Sequence, residues 1–236
     1  MQLDGYRGKT AVITGAAQGI GQEIAERFAG LGAAVAGIDL RRPSIEGVLG
    51  LEADITDPVG LGAAFDQLEA ELGRPEIVVL NAGIFIVEPF ADTSLENWRR
   101  TLDVNLTGAF LCAQRALPAM AEGGYGRVVA VGSSAGINGG KNNCAAYAAS
   151  KAGLMCLAKS IANEYAARGI TANAVAPTLI DTAMMDEQPE GVEKLIPVGR
   201  LGTPTDIADL VAYLCSAHAG YITGEVVDVN GGFLVD

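Results

Sequence analysis

The sequence predicts an α/β fold, a doubly wound parallel sheet with helices on both faces. Short apolar runs alternate with stretches of helical periodicity along the chain. Most of these runs are continuously apolar, which is typical of strands covered on both faces. Repeated strand–helix–strand units of this kind build a parallel sheet. The 236 residues, 50% hydrophobic and 19% charged, suit a single domain over 1–236 and exclude intrinsic disorder.

The individual elements follow from these patterns in chain order. Strands are predicted over 10–14, 34–39, 48–53, 77–81, 127–132, 170–175 and 225–229. Helices are predicted from four apolar faces: Ile20, Ile24, Phe28 and Leu31; Leu61, Phe65, Leu68 and Leu72; Leu154, Ala158, Ile161 and Tyr165; and Ile207, Leu210, Val211 and Leu214. Thr203 or Thr205 is expected to cap the last helix. Residues 178–202 break the pattern and predict a loop with a short helix.

Charge, hydropathy and cysteine spacing exclude several classes of protein. The 28 acidic and 16 basic side chains give a net charge of −12, which repels phosphate backbones and disfavours a nucleic-acid partner. The sequence has no signal-peptide pattern and no run of about 18 apolar residues, so we expect no membrane association. The four cysteines (Cys112, Cys144, Cys156 and Cys215) and the one histidine (His218) are too dispersed for a zinc site, so no metal is expected. Unpaired thiols in apolar surroundings indicate a reducing cytoplasm.

A glycine-rich turn follows the first predicted strand. Gly15, Gly19 and Gly21 lie between that strand and an amphipathic helix, and Gln18 and Ile20 stand among them. Glycines there allow a tight bend and close backbone approach to a pyrophosphate, and the helix N-terminus favours an anion. The pattern therefore predicts a dinucleotide cradle, although an ordinary tight turn would show the same glycines.

Asp39 ends the second predicted strand, eighteen residues past Gly21. A carboxylate at this distance binds the adenosine ribose hydroxyls and repels the 2′-phosphate of NADP. We therefore predict NAD as cofactor, with NADP less favoured. Arg41 and Arg42 argue in the other direction, because either guanidinium could pair with a 2′-phosphate.

Tyr147 and Lys151 are four residues apart in a helical sequence and share one helical face. A neighbouring ammonium lowers the pKa of a phenol, and a phenol tuned in this way exchanges protons with an alcohol or a ketone. A core tyrosine beside a surface lysine would give the same spacing. Ser133 and Ser134 follow the strand predicted over 127–132, where either hydroxyl could bind a substrate carbonyl, and residue chemistry alone does not choose between them.

Nine segments in order resemble the short-chain dehydrogenase/reductase family over nearly the whole chain. They are TGAAQGIG (14–21), Asp39, Asp54, NAG (81–83), VNLTG (104–108), VGSS (131–134), YAASK (147–151), NAVAP (173–177) and VNGG (229–232). The resemblance implies a Rossmann-type fold with seven parallel strands in the order 3-2-1-4-5-6-7. It also implies that 178–202 form a substrate lid. Thr178 stands where the family usually has glycine.

The resemblance also implies roles for individual residues. Asn105, Ser134, Tyr147 and Lys151 match the catalytic tetrad, with Tyr147 as acid/base and Ser134 chosen by its thirteen-residue offset from Tyr147. Gly15, Gln18, Gly19, Ile20, Gly21, Asp39, Asp54, Ile55, Asn81, Ala82, Gly83, Tyr147, Lys151, Pro177, Ile180 and Thr182 are the expected cofactor-binding residues.

These features predict an NAD(H)-dependent oxidoreductase that interconverts a secondary alcohol and a ketone on a mainly apolar small molecule. The pocket is expected to include Ile84, Phe85, Ile137, Asn138, Cys144, Met184 and Ile196. The segment IPVGRLGTPTDIA (196–208) resembles 3-oxoacyl-carrier-protein reductases, which gives the alternative substrate. Family resemblance implies a homotetramer, or else a homodimer. An NAD-sensing regulator without turnover and a binding domain without cofactor are the competing hypotheses.

Overall fold

The computed structural model describes residues 3–141, 143–183 and 191–235. Seven strands are present: β1 (Thr10–Thr14), β2 (Ala34–Asp39), β3 (Val48–Glu52), β4 (Ile77–Leu80), β5 (Gly126–Val131), β6 (Ile170–Pro177) and β7 (Val226–Val229). They form one parallel sheet in the order β3-β2-β1-β4-β5-β6-β7. The fold class predicted from the sequence is therefore confirmed.

Seven α-helices connect and cover these strands. They are α1 (Gly19–Gly30), α2 (Pro58–Leu72), α3 (Leu95–Leu102), α4 (Gly108–Gly123), α5 (Ala135–Asn138), α6 (Ala145–Tyr165) and α7 (Pro204–Cys215). A π-helical turn over Asp103–Thr107 joins α3 to α4. Thr203 caps α7 in a capping box with Asp206, which settles the choice between Thr203 and Thr205.

Two hydrophobic clusters hold the helices on opposite faces of the sheet. One joins α2, α4 and α6 to alternate strand residues such as Val12 and Val78. The other joins α1 and α7 to the intervening residues, such as Ile13 and Val79. Successive strand side chains point to opposite faces, so strands covered on both sides need apolar residues at every position. This explains the continuous apolar runs in the sequence.

The observed strands differ from the predicted ones mainly at their ends. β6 continues two residues past the predicted end at 175, because Ala176 and Pro177 pair with Asp228 and Val229 of β7. Thr14 Oγ1 accepts hydrogen bonds from the backbone N–H groups of Asn81 (3.0 Å) and Ala82 (3.1 Å). This contact ties the end of β1 to the loop after β4. The parallel strands thus bring the loops that follow them to one edge of the sheet.

Within the described part of the chain, no helix is long and apolar enough to cross a membrane. The same residues contain no group of three or more histidine, cysteine, aspartate or glutamate side chains that could hold a metal ion.

Candidate active site

A cavity of about 1150 Å³, called the main cavity below, follows the carboxyl edge of the sheet. Pockets for one small ligand usually have volumes of roughly 300–1,000 Å³, so this cavity has room for a dinucleotide beside a substrate. The predicted residues that border it are Gly15, Gln18, Gly19, Ile20, Asp39, Asp54, Ile55, Asn81, Ala82, Gly83, Ile84, Phe85, Ser134, Asn138, Cys144, Tyr147, Lys151, Pro177, Ile180 and Thr182.

Four other predicted residues do not border the main cavity. Gly21 and Asn105 lie behind its wall, in contacts described below. The expectation that Ile137 and Ile196 line the pocket is wrong, because neither residue borders the main cavity. Ile137 lies on α5, 40% exposed, and Ile196 is buried beside Gly231. Met184 and the lid segment 184–190 lie outside the described residues.

The glycine turn has backbone geometry that only glycine accommodates. Gly15 and Gly19 have φ angles of +68° and +57°, in the left-handed region. A Cβ on Gly21 would lie 2.1 Å from the Gly15 carbonyl oxygen and 2.5 Å from Asn81 Nδ2. No side chain caps the N-terminus of α1 at Gln18. The N–H groups at the start of α1 therefore remain available to an anion in the main cavity, as a pyrophosphate requires.

Asp39 presents its carboxylate at the far end of the same cavity. Its Oδ2 accepts a hydrogen bond from Ala17 N (3.0 Å) and its Oδ1 accepts one from Arg41 N (3.3 Å). The Arg41 guanidinium donates to Gln18 Oε1 at 2.9 Å. The carboxylate is thus held where β2 ends, with the Arg41 side chain directed to Gln18.

Asn81 and Asn105 organise the middle of the wall. Asn81 Nδ2 donates to the carbonyl oxygens of Thr14 (2.9 Å) and Gly15 (3.1 Å), which fixes the turn after β1. Asn105 lies in the π-helical turn, fully buried. Its Oδ1 accepts from Ile84 N at 2.7 Å, and its Nδ2 donates to Ile84 O and Ser150 Oγ at 3.0 Å each. Asn105 thus positions the loop after β4.

Ser133 and Ser134 both border the main cavity, as does Tyr147. A side-chain hydrogen bond between Ser133 and Tyr147 lowers the pKa of Tyr147, and Ser133 Oγ accepts from Ala135 N at 3.1 Å. The choice of Ser134 as the carbonyl-binding serine, made by its offset from Tyr147, stays a prediction. Ser134 occupies the N-cap position of α5, and its backbone N–H donates to Pro177 O at 3.1 Å.

Tyr147 stands between Ser133, Phe85 and Cys144 on the cavity wall. The Phe85 ring meets the Tyr147 ring edge-on, with centroids 4.9 Å apart. Burial raises the pKa of Tyr147 above its ordinary value of 10.0; the Ser133 hydrogen bond lowers that pKa and Cys144 raises it. The predicted lowering of this pKa by the lysine is thus wrong in direction, because the loss of solvation dominates. A phenol with a raised pKa stays protonated at neutral pH and can act as a proton donor.

Lys151 is 4% exposed, and its Nζ donates to Val131 O at 2.7 Å. Nζ lies 5.7 Å from the centroid of the Tyr147 ring. Burial lowers the pKa of Lys151 from 10.5 to about 8. A Cβ on Gly83 would lie 3.4 Å from this Nζ and 3.2 Å from Asn105 Oδ1, so the absence of a side chain at Gly83 leaves room for the ammonium.

Helix α3 forms part of the wall of the main cavity, which the sequence did not predict. Leu95, Glu96, Arg99 and Arg100 border the main cavity, as do Leu195 and Phe233 from the C-terminal third. Arg99 and Arg100 are exposed, and they add positive charge to the wall on which Lys141 also lies. These residues belong to none of the recognised motifs, and only their amphipathic spacing could have indicated a surface helix.

The chain reverses sharply after β6, and the left-handed residue there is Leu179 (φ +51°). Thr178, the position where glycine was expected, avoids this conformation. A leucine in the left-handed region costs about 1–3 kcal/mol. Leu179 borders the main cavity, and its carbonyl accepts from Gly202 N at 3.1 Å, which holds the strained turn in place.

Together these residues fit a dinucleotide. The glycine turn leaves backbone N–H groups open to the phosphates, Asp39 can accept hydrogen bonds from the adenosine ribose, and Tyr147 and Lys151 are at the other end of one continuous cavity. A second cavity among the described residues measures about 10 Å³, far too small for a dinucleotide.

Comparisons with known proteins agree with this geometry. Residues 15–234 match the family model described as enoyl-(acyl carrier protein) reductase. The 3-oxoacyl-[acyl-carrier-protein] reductase FabG of Escherichia coli (strain K12) is 39% identical over 241 residues, covering 96% of this chain and 98% of that protein. The reductase MabA of Mycobacterium tuberculosis (strain ATCC 25618 / H37Rv), which carries the same description, is 40% identical over 228 residues, covering 95% and 92%.

Two solved structures are also similar. A short-chain type dehydrogenase/reductase from Mycobacterium marinum has a TM-score of 0.94 and 33% identity, covering all of this chain and 98% of the other. A 3-ketoacyl-(acyl-carrier-protein) reductase from Brucella melitensis, solved in complex with NADH, has a TM-score of 0.92 and 30% identity, covering 97% and 99%.

Proposed function

Because the chain belongs to the short-chain dehydrogenase/reductase family and is an NAD(P)-dependent oxidoreductase acting on CH–OH or C=O groups of small molecules, we propose that it reduces the 3-oxo group of an acyl thioester. The product is the 3-hydroxyacyl thioester. The observation that carries this proposal is the similarity of 38–40% identity over 95–96% of the chain to several 3-oxoacyl-[acyl-carrier-protein] reductases.

In the proposed mechanism, Ser134 and Tyr147 hold the oxygen of the ketone. The Tyr147 hydroxyl gives its proton to that oxygen as the carbonyl is reduced, and Ser134 stabilises the developing charge by a hydrogen bond. The bound nicotinamide supplies the hydride that reaches the carbonyl carbon. Lys151 keeps a positive charge behind Tyr147 and, with Asn105, holds the wall in place. Reduction consumes one hydride and one proton for each ketone.

The substrate side of the main cavity supports an acyl chain and an anionic carrier. Leu95 and Leu195 border it while remaining 60% and 64% exposed, so an acyl chain would bury apolar surface that water now contacts. Arg99, Arg100 and Lys141 border the cavity, as do the carboxylates of Glu96 and Asp103, in a chain whose net charge is −12. We propose that these cations meet the phosphate of the thioester carrier, and that 178–202 form the substrate lid; its described part borders the cavity through Leu179, Thr182 and Val192.

We propose NADH rather than NADPH as the preferred cofactor. The Asp39 carboxylate is fixed by two backbone N–H groups in the adenosine end of the cavity, where a 2′-phosphate would meet a like charge. The Arg41 guanidinium donates to Gln18 rather than to the Asp39 carboxylate. The solved relative from Brucella melitensis carries NADH, which is consistent with this preference.

We also propose a homotetramer, or else a homodimer, assembled through α4 and α6. Phe110 on α4 is 44% exposed, and Cys156 on α6 is exposed as well. Sedimentation velocity with the wild type and with Phe110→Glu tests this assembly, since a charge in the contact would shift the wild-type oligomer towards a monomer.

Steady-state assays with acetoacetyl thioesters of coenzyme A and of a carrier protein, each with NADH and NADPH, test the proposed function. We expect turnover of a thioester with a lower KM for NADH. A second candidate, reduction of a small apolar ketone, is favoured by the apolar Ile84, Phe85 and Cys144 beside Tyr147. Turnover of unactivated ketones alone would replace the first proposal with the second. Binding of NADH without turnover of any ketone would indicate the sensing role instead.

A further inference from the structure

A second cavity lies outside the main cavity, between the loop after β4, helix α3 and the start of α6. Its volume is about 10 Å³, close to the minimum of roughly 10–15 Å³ that one water molecule requires. Glu88, Asn97 and Thr101 contribute polar groups to its lining, and Ala145 and Ala146 contribute the first turn of α6. A cavity of this size, with an apolar lining that includes these few polar groups, suits a single small ligand.

Two residues that line this cavity each have one polar side-chain atom that is buried without a hydrogen-bond partner among the described residues. One is Glu88 Oε2 and the other is Thr101 Oγ1. Thr101 is fully buried, so its hydroxyl has no route to bulk solvent. The other carboxylate oxygen of Glu88 accepts from Asn97 Nδ2 at 2.5 Å, which fixes the carboxylate. Buried polar groups in folded proteins nearly always have partners, so two orphaned atoms on one small cavity point to a bound ligand.

The start of α6 supplies the third partner. No side chain caps this 21-residue helix at Cys144, and the first N–H groups of any α-helix have no partner within the helix. Ala145 and Ala146 border the cavity together with the Glu88 carboxylate. An N-terminal helix turn and a carboxylate are complementary in charge, and a bridging group between them would satisfy both.

We propose that one water molecule binds in this second cavity as a structural bridge. This water donates one hydrogen bond to Glu88 Oε2 and forms a second hydrogen bond with Thr101 Oγ1. It accepts a third from a backbone N–H group in the first turn of α6. Three hydrogen bonds are typical of a buried water. The bridge joins three segments that are remote in sequence, at residues 88, 101 and 145–146.

This bridge would position the catalytic tyrosine. Phe85, which packs edge-on against Tyr147, is three residues before Glu88 in the same loop. Glu88 N donates to Asn143 O at 2.8 Å, just before α6 begins. Thr101 precedes Asn105 by one helical turn. Glu88 and Thr101 are thus positioning residues, which act on Tyr147 through the loop and the helix that hold it.

Thr101→Val tests the bridge because the direction in which it changes the thermal stability distinguishes a hydrated cavity from a dry one. Valine keeps the shape of threonine and removes the hydroxyl. If the water is bound, the substitution leaves it short of a partner, and we expect the thermal midpoint Tm to fall by about 2–4 °C. If the cavity is dry, removal of an orphaned hydroxyl raises Tm or leaves it unchanged, and the proposal is overturned.

Two control variants make the test specific. Thr171→Val removes another buried hydroxyl that lacks a partner among the described residues, but Thr171 borders neither cavity, so its Tm should stay the same or rise. An equal fall at both positions would overturn the proposal. Thr101→Ser retains the hydroxyl and should recover most of the Tm lost in Thr101→Val. These measurements need no substrate, so they stand even if the proposed reaction fails.

A crystal structure at about 1.5 Å resolution gives the direct readout. We expect density for one water within hydrogen-bond distance of Glu88 Oε2 and Thr101 Oγ1, and none there in Thr101→Val. In the reductase assay, Thr101→Val should lower kcat about fivefold with the Kd for NADH unchanged, because Tyr147 is displaced while the cradle is intact. A Tm that depends on K⁺ or Na⁺ at constant ionic strength, and loses this dependence in Glu88→Gln, would overturn the water in favour of a monovalent cation.

Discussion

The two ends of the main cavity depend on different physical properties of the chain. The turn after β1 is made of backbone, and its capacity to bind an anion comes from missing side chains, as at Gly21, where a Cβ would lie 2.1 Å from a carbonyl oxygen. The catalytic end is made of side chains, with Lys151 96% buried by its neighbours and Ser133 bonded to Tyr147. The first end depends on steric room, whereas the second depends on desolvation and hydrogen bonds.

This difference predicts which kind of substitution should disrupt each end. A side chain added in the glycine turn should abolish cofactor binding and also destabilise the fold, since the same contacts tie β1 to β4 through Asn81. Removal of a single polar atom at the catalytic end should lower the rate of reaction while the fold remains stable. Four predictions test this contrast, from the largest expected effect to the smallest.

Gly21→Ala should cause the largest loss. The new Cβ would overlap the Gly15 carbonyl oxygen and Asn81 Nδ2, neither of which can move without opening the turn. We expect destabilisation by about 3 kcal/mol or more and no measurable binding of NADH, as read by urea denaturation and by cofactor fluorescence. Gly62→Ala is the matched control: nothing lies within 4 Å of its notional Cβ on α2, and helix propensity should stabilise it slightly. Normal NADH binding by Gly21→Ala would contradict the cradle.

Tyr147→Phe removes the proton donor and preserves the ring that packs against Phe85. We expect kcat to fall by about 10³-fold while the Kd for NADH and the Tm change little, because the backbone cradle is untouched. Single-turnover kinetics and isothermal calorimetry measure these quantities. Tyr221→Phe, at a fully exposed tyrosine, should leave kcat unchanged. Full turnover by Tyr147→Phe would remove Tyr147 as the acid.

Ser134→Ala and Ser133→Ala form a pair that separates the roles of the two serines. Because Ser134 is proposed to bind the carbonyl oxygen, its loss should lower kcat by about 10²-fold, the range seen when one oxyanion donor is removed. Ser133→Ala should lower kcat by no more than about tenfold, because it removes only the hydrogen bond to Tyr147. The reverse pattern in steady-state kinetics would make Ser133 the carbonyl-binding residue.

Lys151→Met should change stability by the smallest amount and in the opposite direction, because it removes a buried charge and so stabilises the fold. Burial lowers the pKa of Lys151 to about 8 in the folded protein, below its ordinary 10.5, so the folded state binds this proton more weakly than the unfolded chain. The destabilisation is therefore complete below pH 8 and disappears as the pH rises towards 10.5. We expect methionine to add about 2 kcal/mol at pH 7 and clearly less at pH 10, measured without added cofactor.

Exposed Lys159→Met serves as the control for Lys151→Met and should be neutral at both pH values. A stability gain that is equal at pH 7 and pH 10 would show that packing, rather than the buried charge, is responsible.

Much of the fold could be predicted from the sequence because its signals act over short distances. The predicted boundaries of β1 and β2 match the observed ones, since continuous apolar runs bounded by glycine and aspartate specify buried strands locally. The end of β6 was missed because its last two residues are held by β7, about fifty positions along the chain. Pairing at that distance leaves no local pattern.

Less of the site could be predicted, because it depends on which segments meet. The sequence alone determined the fold class, the glycine turn and the carboxylate at Asp39, since apolar periodicity and steric demands are properties of a few consecutive residues. The tertiary structure decided that α3 walls the cavity with Arg99 and Arg100, and that burial raises the pKa of Tyr147 and lowers that of Lys151. The direction of a side chain and the loss of its solvation depend on neighbours that are distant in sequence. Both are therefore determined only once the chain is folded.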